Sequence, residues 1–394
     1  MSRKTARRDP AYFDPKRTPR IEDITARYGR VALILQGGGA LGSYQAGVYR
    51  ALAEAGADPD WISGVSIGAI NAAIIAGNRP ADRMEKLEQF WSTVSGRTLW
   101  SDHLPEWDVY RHFRNRMSAL LTLFGGAPGF FTPRFPSPFM LPSGAPGAAS
   151  FYDSSALKRT LLQVIDFDVL NNGEKRVSLG AVNVRTGNLI FFDSAKMRLA
   201  PEHIMASGAL PPGLPPVRID GEDYWDGGLV SNTPLQHLLA QEEELASLVF
   251  QVDLFSAHGA PPRDMDDVLT RQKDILYSSR TRQNTESYRR IHDLKLQLRE
   301  ALKRVPPDQL TPLEKMRLEA AGVPASVNII HLIYQQKAYE SHGKDYEFSA
   351  VSMREHMAAG CEDTRKTLHH RHWLEPQDGN ECIVIHDVHR DAAF

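Results

Sequence analysis

Val31-Ala-Leu-Ile-Leu35 leads into Gly37-Gly-Gly-Ala-Leu-Gly42, and Asp60-Trp-Ile-Ser-Gly-Val65 leads into Ser66-Ile-Gly68-Ala-Ile-Asn-Ala-Ala-Ile-Ile-Ala76. These pieces make one stretch, Val31 to Gly77, whose reading decides the fold. The five apolar residues from Val31 are too few for a typical helix and stop at glycine, which predicts a buried strand. Ser43 to Gly56 carries Val48, Leu52 and Ala55 at i, i+4 and i+7, the spacing of a helix with one apolar face. Asp60 to Val65 predicts a second strand, and the residues after Ser66 a second helix. Two parallel strands joined by a helix form a right-handed unit. Both of its loops then reach the carboxyl edge of the sheet, where open α/β sheets place their sites. The fold class is therefore α/β with a mostly parallel central sheet.

Two chemistries compete for the glycine loop. Gly37, Gly39 and Gly42 satisfy G-x-G-x-x-G after a strand, and Asp58 and Asp60 offer a ribose-binding acid, which would suit a dinucleotide-dependent oxidoreductase. A P-loop is excluded, because no Gly-Lys-Ser/Thr follows. The alternative is an oxyanion hole, in which glycines turn backbone N–H groups into a cavity at a helix N-terminus. Gly64-Val-Ser66-Ile-Gly68 favours the second reading. Small residues flanking a serine at a strand-to-helix junction permit the strained turn that exposes a nucleophilic Oγ. A serine nucleophile needs a base, and Tyr224-Trp-Asp226-Gly-Gly228 is the downstream candidate. It follows the proline-stiffened run Ala206 to Val217 and a hairpin turn at Asp220-Gly221, and precedes Leu229-Val-Ser-Asn-Thr-Pro234.

In this order, the glycine loop, Gly64-Val-Ser-Ile-Gly68, the Ala206–Val217 run and Asp226-Gly-Gly228 resemble the patatin-like phospholipase family over roughly Arg30 to Asp253. The resemblance implies a three-layer patatin-like fold and a serine hydrolase of fatty-acyl esters that needs no cofactor or metal. It implies Ser66 as nucleophile, Asp226 as its only side-chain partner, and the N–H groups of Gly37, Gly38 and Gly39 as the oxyanion hole. Members often carry a cation within the glycine loop, where this chain has Leu41. If the site were an ordinary Ser-His-Asp hydrolase instead, His203, His237 and His331 would be the histidines to weigh. Chain order admits only those after Asp226.

The remaining chain bounds these readings. Its 394 residues, 42% apolar and 24% charged with a net charge of −2, describe an ordinary soluble globular protein and exclude a nucleic-acid binder. Cys361 and Cys382 are too few for a disulfide framework, and neither a signal sequence nor an apolar run of spanning length is present. A cytoplasmic protein is expected.

Three segments flank or interrupt the hydrolase region at 31–260. Residues 1–30 form a basic arm with nine Lys or Arg against four acids. It offers peripheral contact with anionic membrane, although its acids and three prolines favour a packed or solvated tail. Residues 83–151 form an insertion with Trp91, Trp100 and Trp107, then Phe130, Phe131, Phe135, Phe139 and Met140 among six prolines of 125–147. So aromatic a loop is expected to cap an acyl pocket or meet lipid, or else to cover a sheet edge. Residues 261–394 read as a largely helical C-terminal extension, similar to that of one bacterial branch of the family. Its stripe of Ile291, Leu294, Leu298 and Leu302 suits core packing, a homo-oligomer seam or a protein partner. A partner-binding protein with a vestigial site is the remaining alternative. Val177–Val184 with Leu189–Phe192 predicts a hairpin, and Leu248–Leu254 and Val327–Tyr334 predict strands. Beside His369, His370 and His372 no Cys stands at metal-ligand spacing and Glu375 is the only close acid downstream, so a solvated helix end is expected in place of a metal site.

Overall fold

Six parallel strands run through the centre of the sheet, with antiparallel strands at one side. The computed structural model describes residues 18–96, 108–240, 245–279, 281–306, 309–320, 326–376 and 383–388. Most of the basic arm, Trp100, Trp107 and Cys382 lie outside the described residues.

In chain order, β1 (Arg30–Leu35), α1 (Ser43–Glu54), β2 (Trp61–Val65) and α2 (Ile67–Ala76) form the predicted unit. Then come α3 (Arg83–Val94), α4 (Asp108–Gly125) and α5 (Ser155–Val164). The middle of the chain supplies β3 (Arg176–Asn183), β4 (Leu189–Asp193), α6 (Pro201–Ser207), β5 (Val217–Ile219) and β6 (Glu222–Asp226). The last part supplies β7 (Ser247–Asp253), α7 (Met265–Tyr277), α8 (Thr281–Lys303), β8 (Val327–Ile333), α9 (Ala350–Leu368) and β9 (Ile383–Asp387). The sheet order is β9-β8-β7-β1-β2-β3-β6-β5, with β4 also paired to β3. Both expected hairpins form, β3–β4 and β5–β6.

Every residue of β1, β2 and β7 is buried, as expected for strands covered on both faces. Alternation divides them between two cores. Val31, Leu33 and Leu35 join Phe250, Val252 and Ile330 under the layer of α1, α2 and α9. Ala32 and Ile34 join Val249, Ile329, Leu235 and Leu238 on the opposite face. The result is three layers, helix on sheet on helix.

The composition change at Pro261 does not mark the edge of this core. β8 and β9 extend the same parallel sheet beyond β7, and α9 lies along α1. That helix pair is close because Gly47 faces the Met357 carbonyl and Gly360 faces the Tyr44 carbonyl, leaving no room for a Cβ on either side. The end of the basic arm is also packed: Ile21 and Ile24 are buried, and Arg371 pairs with Asp23 at 2.7 Å. The insertion is not uniform either. Its first part is the core helix α3, whose Trp91 is buried and donates to Asn71 at 3.1 Å. By contrast, Phe135, Phe139 and Met140 project into solvent. On α8, Leu302 is buried, whereas Ile291, Leu294 and Leu298 are exposed. The stripe is therefore mostly surface. Among the described residues, no helix is long and apolar enough to cross a membrane.

Candidate active site

Ser66 occupies the junction between β2 and α2 with φ 57° and ψ −127°, a backbone conformation that non-glycine residues rarely adopt. The flanking glycines explain how the turn closes. A Cβ on Gly64 would collide with the Gly68 carbonyl, and one on Gly68 with the carbonyl of Leu35. The Ser66 N–H is held by both the carbonyl and the hydroxyl of Ser207, each at 3.1 Å, and Ser207 Oγ donates to the Gly180 carbonyl at 2.6 Å. The side chain of Ser66 therefore leaves a tightly fixed main chain.

The sheet brings Asp226 to this serine from 160 positions away. β2 pairs with β3 over residues 176–180, while β4 pairs over 178–182 and so must take the other edge. β6 pairs with residues 181–183, overlapping β4, and therefore shares the edge of β2. Thus β6 occupies the edge that β2 gives up when its chain turns at Ser66. Val65 is opposite Gly180 and Asp226 is opposite Ala181, the very next position. The Asp226 N–H bonds the Ala209 carbonyl at 3.0 Å. One short segment, Ser207 to Ala209, thus fixes both residues.

Asp226 is fully buried. Its Oδ1 accepts from the Gly228 N–H at 2.7 Å, while Oδ2 has no hydrogen-bond partner at normal geometry among the described residues. Burial pushes the carboxyl up to about 7; the nearby Ser66 hydroxyl and the Gly228 N–H oppose that shift without cancelling it. Ser66 and Asp226 line the same cavity, and among the described residues no hydrogen bond of normal geometry closes on Oδ2, the looseness common in sites awaiting substrate.

The glycine loop lies against both. Gly39 begins a short 3-10 turn to Gly42 with φ 54°. The N–H groups of Gly38 and Gly39 find no protein acceptor among the described residues. Gly37 differs: its N–H donates to the Asn232 carbonyl at 3.2 Å, which corrects the expectation of three free donors. Asn232 Nδ2 in turn donates to the Gly37 carbonyl and to the Tyr277 carbonyl, each at 3.0 Å. Gln36 also reaches the Tyr277 carbonyl at 3.0 Å, and its Oε1 accepts from the Phe255 N–H at 3.0 Å. The physical reason is that Gly37 still belongs to the strand end, where neighbours satisfy its backbone, whereas Gly38 and Gly39 have left it.

A cavity of about 220 Å³ is lined by Gly37, Gly38, Gly39, Ser66 and Asp226 together with apolar side chains. Phe130, Phe131 and Tyr152 come from the insertion and its return; Tyr346 and Phe348 come from the C-terminal part. Phe131 meets Tyr152 edge-on at 4.9 Å between ring centroids, and Phe348 meets Phe130 at 5.9 Å. The insertion therefore contributes two of its aromatics to the cavity wall and leaves others outside.

Among the described residues, no histidine lines the cavity. His331 is bonded to Asp253 at 2.6 Å, His237 stacks on Phe191, and His203 Nδ1 accepts from the Ala200 N–H at 2.8 Å. The dinucleotide reading also loses its acid. Asp58 pairs with Arg83 and Lys175, and Asp60 caps the Val31 N–H, all at the strand starts opposite the glycine loop. Among the described residues no cluster of His, Cys, Asp and Glu could hold a metal ion, and His370 stacks on Trp373. The sequence reading missed Ser207, Asn232 and Gln36 as supports of the site. Ser207 and Asn232 fall within segments it singled out, but nothing local tells which backbone groups they reach.

The chain is similar to known proteins over most of its length. A family model described as patatin-like phospholipase matches residues 33–239, and one described as patatin phospholipase matches residues 275–380. Lysophospholipase nte1 of Aspergillus terreus is 24% identical over 240 residues, 61% of this chain and 13% of that protein. Patatin-like phospholipase domain-containing protein 7 of Rattus norvegicus is 44% identical over 62 residues, 16% of this chain and 5% of that protein. The chain thus spans a small part of the length of these relatives. VipD from Legionella pneumophila aligns over 86% of this chain and 67% of its own, with a TM-score of 0.38 and 16% identity. The first family match extends over more than half of the 394 residues, and the chain belongs to the patatin-like phospholipase family.

Proposed function

We propose that the protein is a serine lipid acyl hydrolase that cleaves fatty-acyl esters through a Ser66–Asp226 dyad. One observation carries this reading: a serine at positive φ and a fully buried carboxyl at adjacent sheet positions open into one apolar cavity beside two free backbone N–H groups. Ser66 Oγ bonds to the ester carbonyl carbon while its proton passes to Asp226. The C–O bond to the leaving alkoxide then breaks, and Asp226 returns the proton to give the alcohol. Water repeats the sequence on the acyl-enzyme, giving fatty acid and free serine. The N–H groups of Gly38 and Gly39 receive the oxyanion, each donor worth about 10²–10³ in rate.

The substrate class rests on the apolar lining and on the family. The surface around the cavity suits a lipid aggregate: Leu123 of α4 lines the cavity while Phe124 beside it is 81% exposed, and Phe135, Phe139 and Met140 project nearby in sequence. Peripheral membrane contact belongs to this reading. Labelling with a fluorophosphonate and hydrolysis of p-nitrophenyl esters test it directly. Ser66→Ala is expected to abolish both, and Asp226→Asn to lower turnover by about 10³-fold or more, on the scale seen when a triad member is removed. Turnover of the wild type should fall below pH 7 as Asp226 takes up its proton. Equal labelling of the wild type and Ser66→Ala would overturn the assignment.

A further inference from the structure

The C-terminal turn from Lys344 to Phe348 touches the machinery from outside the region that carries the motifs. Lys344–Tyr346 is a 3-10 turn packed on the glycine loop, and the bare face of Gly39 is filled by the Asp345 carbonyl. Asp345, Tyr346 and Phe348 then line the same cavity as Ser66. Buried charge fixes the turn. Lys344 Nζ reaches Asp274 at 2.7 Å and Gln336 at 2.8 Å. Lys273 Nζ reaches Asp345 Oδ1 and the His342 carbonyl, each at 2.6 Å. Both acidic and basic anchors, Asp274 and Lys273, stand on α7, whose last residue, Tyr277, holds Gln36 and Asn232 through its carbonyl. The helix, the turn and the glycine loop form a closed circuit.

Among the described residues, the cavity lining contains no Lys, Arg or His, and its two carboxyl groups are Asp226 and Asp345. Asp226 is assigned to the dyad. Asp345 is thus the group whose charge an incoming head group would meet, and Lys273 balances it from behind. Building on the reaction proposed above, we propose that this turn is the specificity wall of the site. Asp345, balanced by Lys273, selects uncharged or zwitterionic acyl esters over anionic ones, and Phe348 limits the acyl segment held against Phe130 and Phe131.

The two charged partners give opposite expectations. Asp345→Asn keeps the shape, removes the negative charge and leaves Lys273 uncompensated beside the cavity. Lys273→Met leaves the carboxylate of Asp345 unbalanced. A unit charge within several ångströms, at the effective dielectric of a partly buried site, changes preference by about tenfold. The probes are dihexanoyl phosphatidylcholine and dihexanoyl phosphatidylglycerol at monomeric concentrations, with p-nitrophenyl butyrate and octanoate for acyl length. The wild type should favour phosphatidylcholine in kcat/KM. The phosphatidylglycerol-to-phosphatidylcholine ratio should rise about tenfold in Asp345→Asn and fall in Lys273→Met. Phe348→Ala should raise the octanoate-to-butyrate ratio. Ratios cancel losses of folded enzyme, and fluorophosphonate labelling reports the competent fraction. Unchanged ratios in labelled, active variants, or shifts of the same sign in both charge variants, would overturn the specificity wall alone. A wild type that neither labels nor hydrolyses any ester would overturn the hydrolase reading itself, and this inference with it.

Discussion

Two parts of the chain meet in one cavity, and they are encoded differently. The Val31–Gly77 stretch is built from local rules: apolar strands that stop at glycine, helices that start there, and a serine between two glycines that admit its turn. The part from Met265 onward has weak local signals, strongly charged helices and an irregular loop, yet it supplies Tyr277, Asp345, Tyr346 and Phe348 to the same wall. In the proposed reaction the short segment carries the serine Oγ and the free N–H groups, and Asp226 brings the base from elsewhere. Shape and charge around the reacting carbon need walls on several sides, and those come from wherever the sheet happens to bring chain.

The two parts are expected to be inseparable. Ending the chain after residue 260 would strip β8 from β7, whose every residue is buried, and leave an apolar parallel edge. The expected outcome is insoluble or unfolded protein, read by circular dichroism and size-exclusion chromatography; a soluble, cooperatively melting fragment would mean that the C-terminal part is an accessory. Lys344→Met asks the same question at one side chain. It leaves Asp274 buried without its cation, and about 3–5 kcal/mol of stability should be lost in urea unfolding.

Asp226→Asn sharpens the comparison from the reactive side. Burial raises this carboxyl to about 7, so the folded protein binds a proton that the unfolded chain has released. Stability on its account falls as pH rises from about 4 to about 7, and the loss is complete above that. Asparagine is neutral throughout. The variant should match the wild type near pH 4 and exceed it by up to about 4 kcal/mol at pH 8, read as a difference in melting temperature across pH. A gap independent of pH would contradict the desolvated carboxyl. Ser207→Ala gives the smallest effect. Without Oγ the Ser66 N–H keeps one of its two acceptors, and kcat should fall about tenfold to a hundredfold with KM little changed. A change confined to KM would show that Ser207 does not position Ser66 for the proposed reaction.

Much of this was legible in the residues. The predicted strands and both hairpins lie within a residue or two of where apolar runs and turn chemistry put them, because those signals are local, whereas the edge strand Ile383–Asp387 was not foreseen. Position was not legible. Gly37 resembles Gly38 and Gly39 in sequence, but only the fold shows its N–H donating to Asn232. Phe131 and Phe135 look alike in a proline-rich run, yet one lines the cavity and the other is entirely exposed. Asp58 and Asp60 have suitable spacing for a ribose and stand at the wrong edge of the sheet.

Local sequence is enough to specify the α/β class, the glycine loop, the serine turn and the Asp-Gly-Gly turn, since each depends on contacts within a few residues. Tertiary structure alone decided that β6 takes over the edge of β3 where β2 leaves it, which sets Asp226 beside Ser66. It also brought a charged C-terminal turn into the wall of the cavity. Both are pairings between groups far apart in the chain. They depend on strand register and on which buried charges find partners, quantities that no local pattern records.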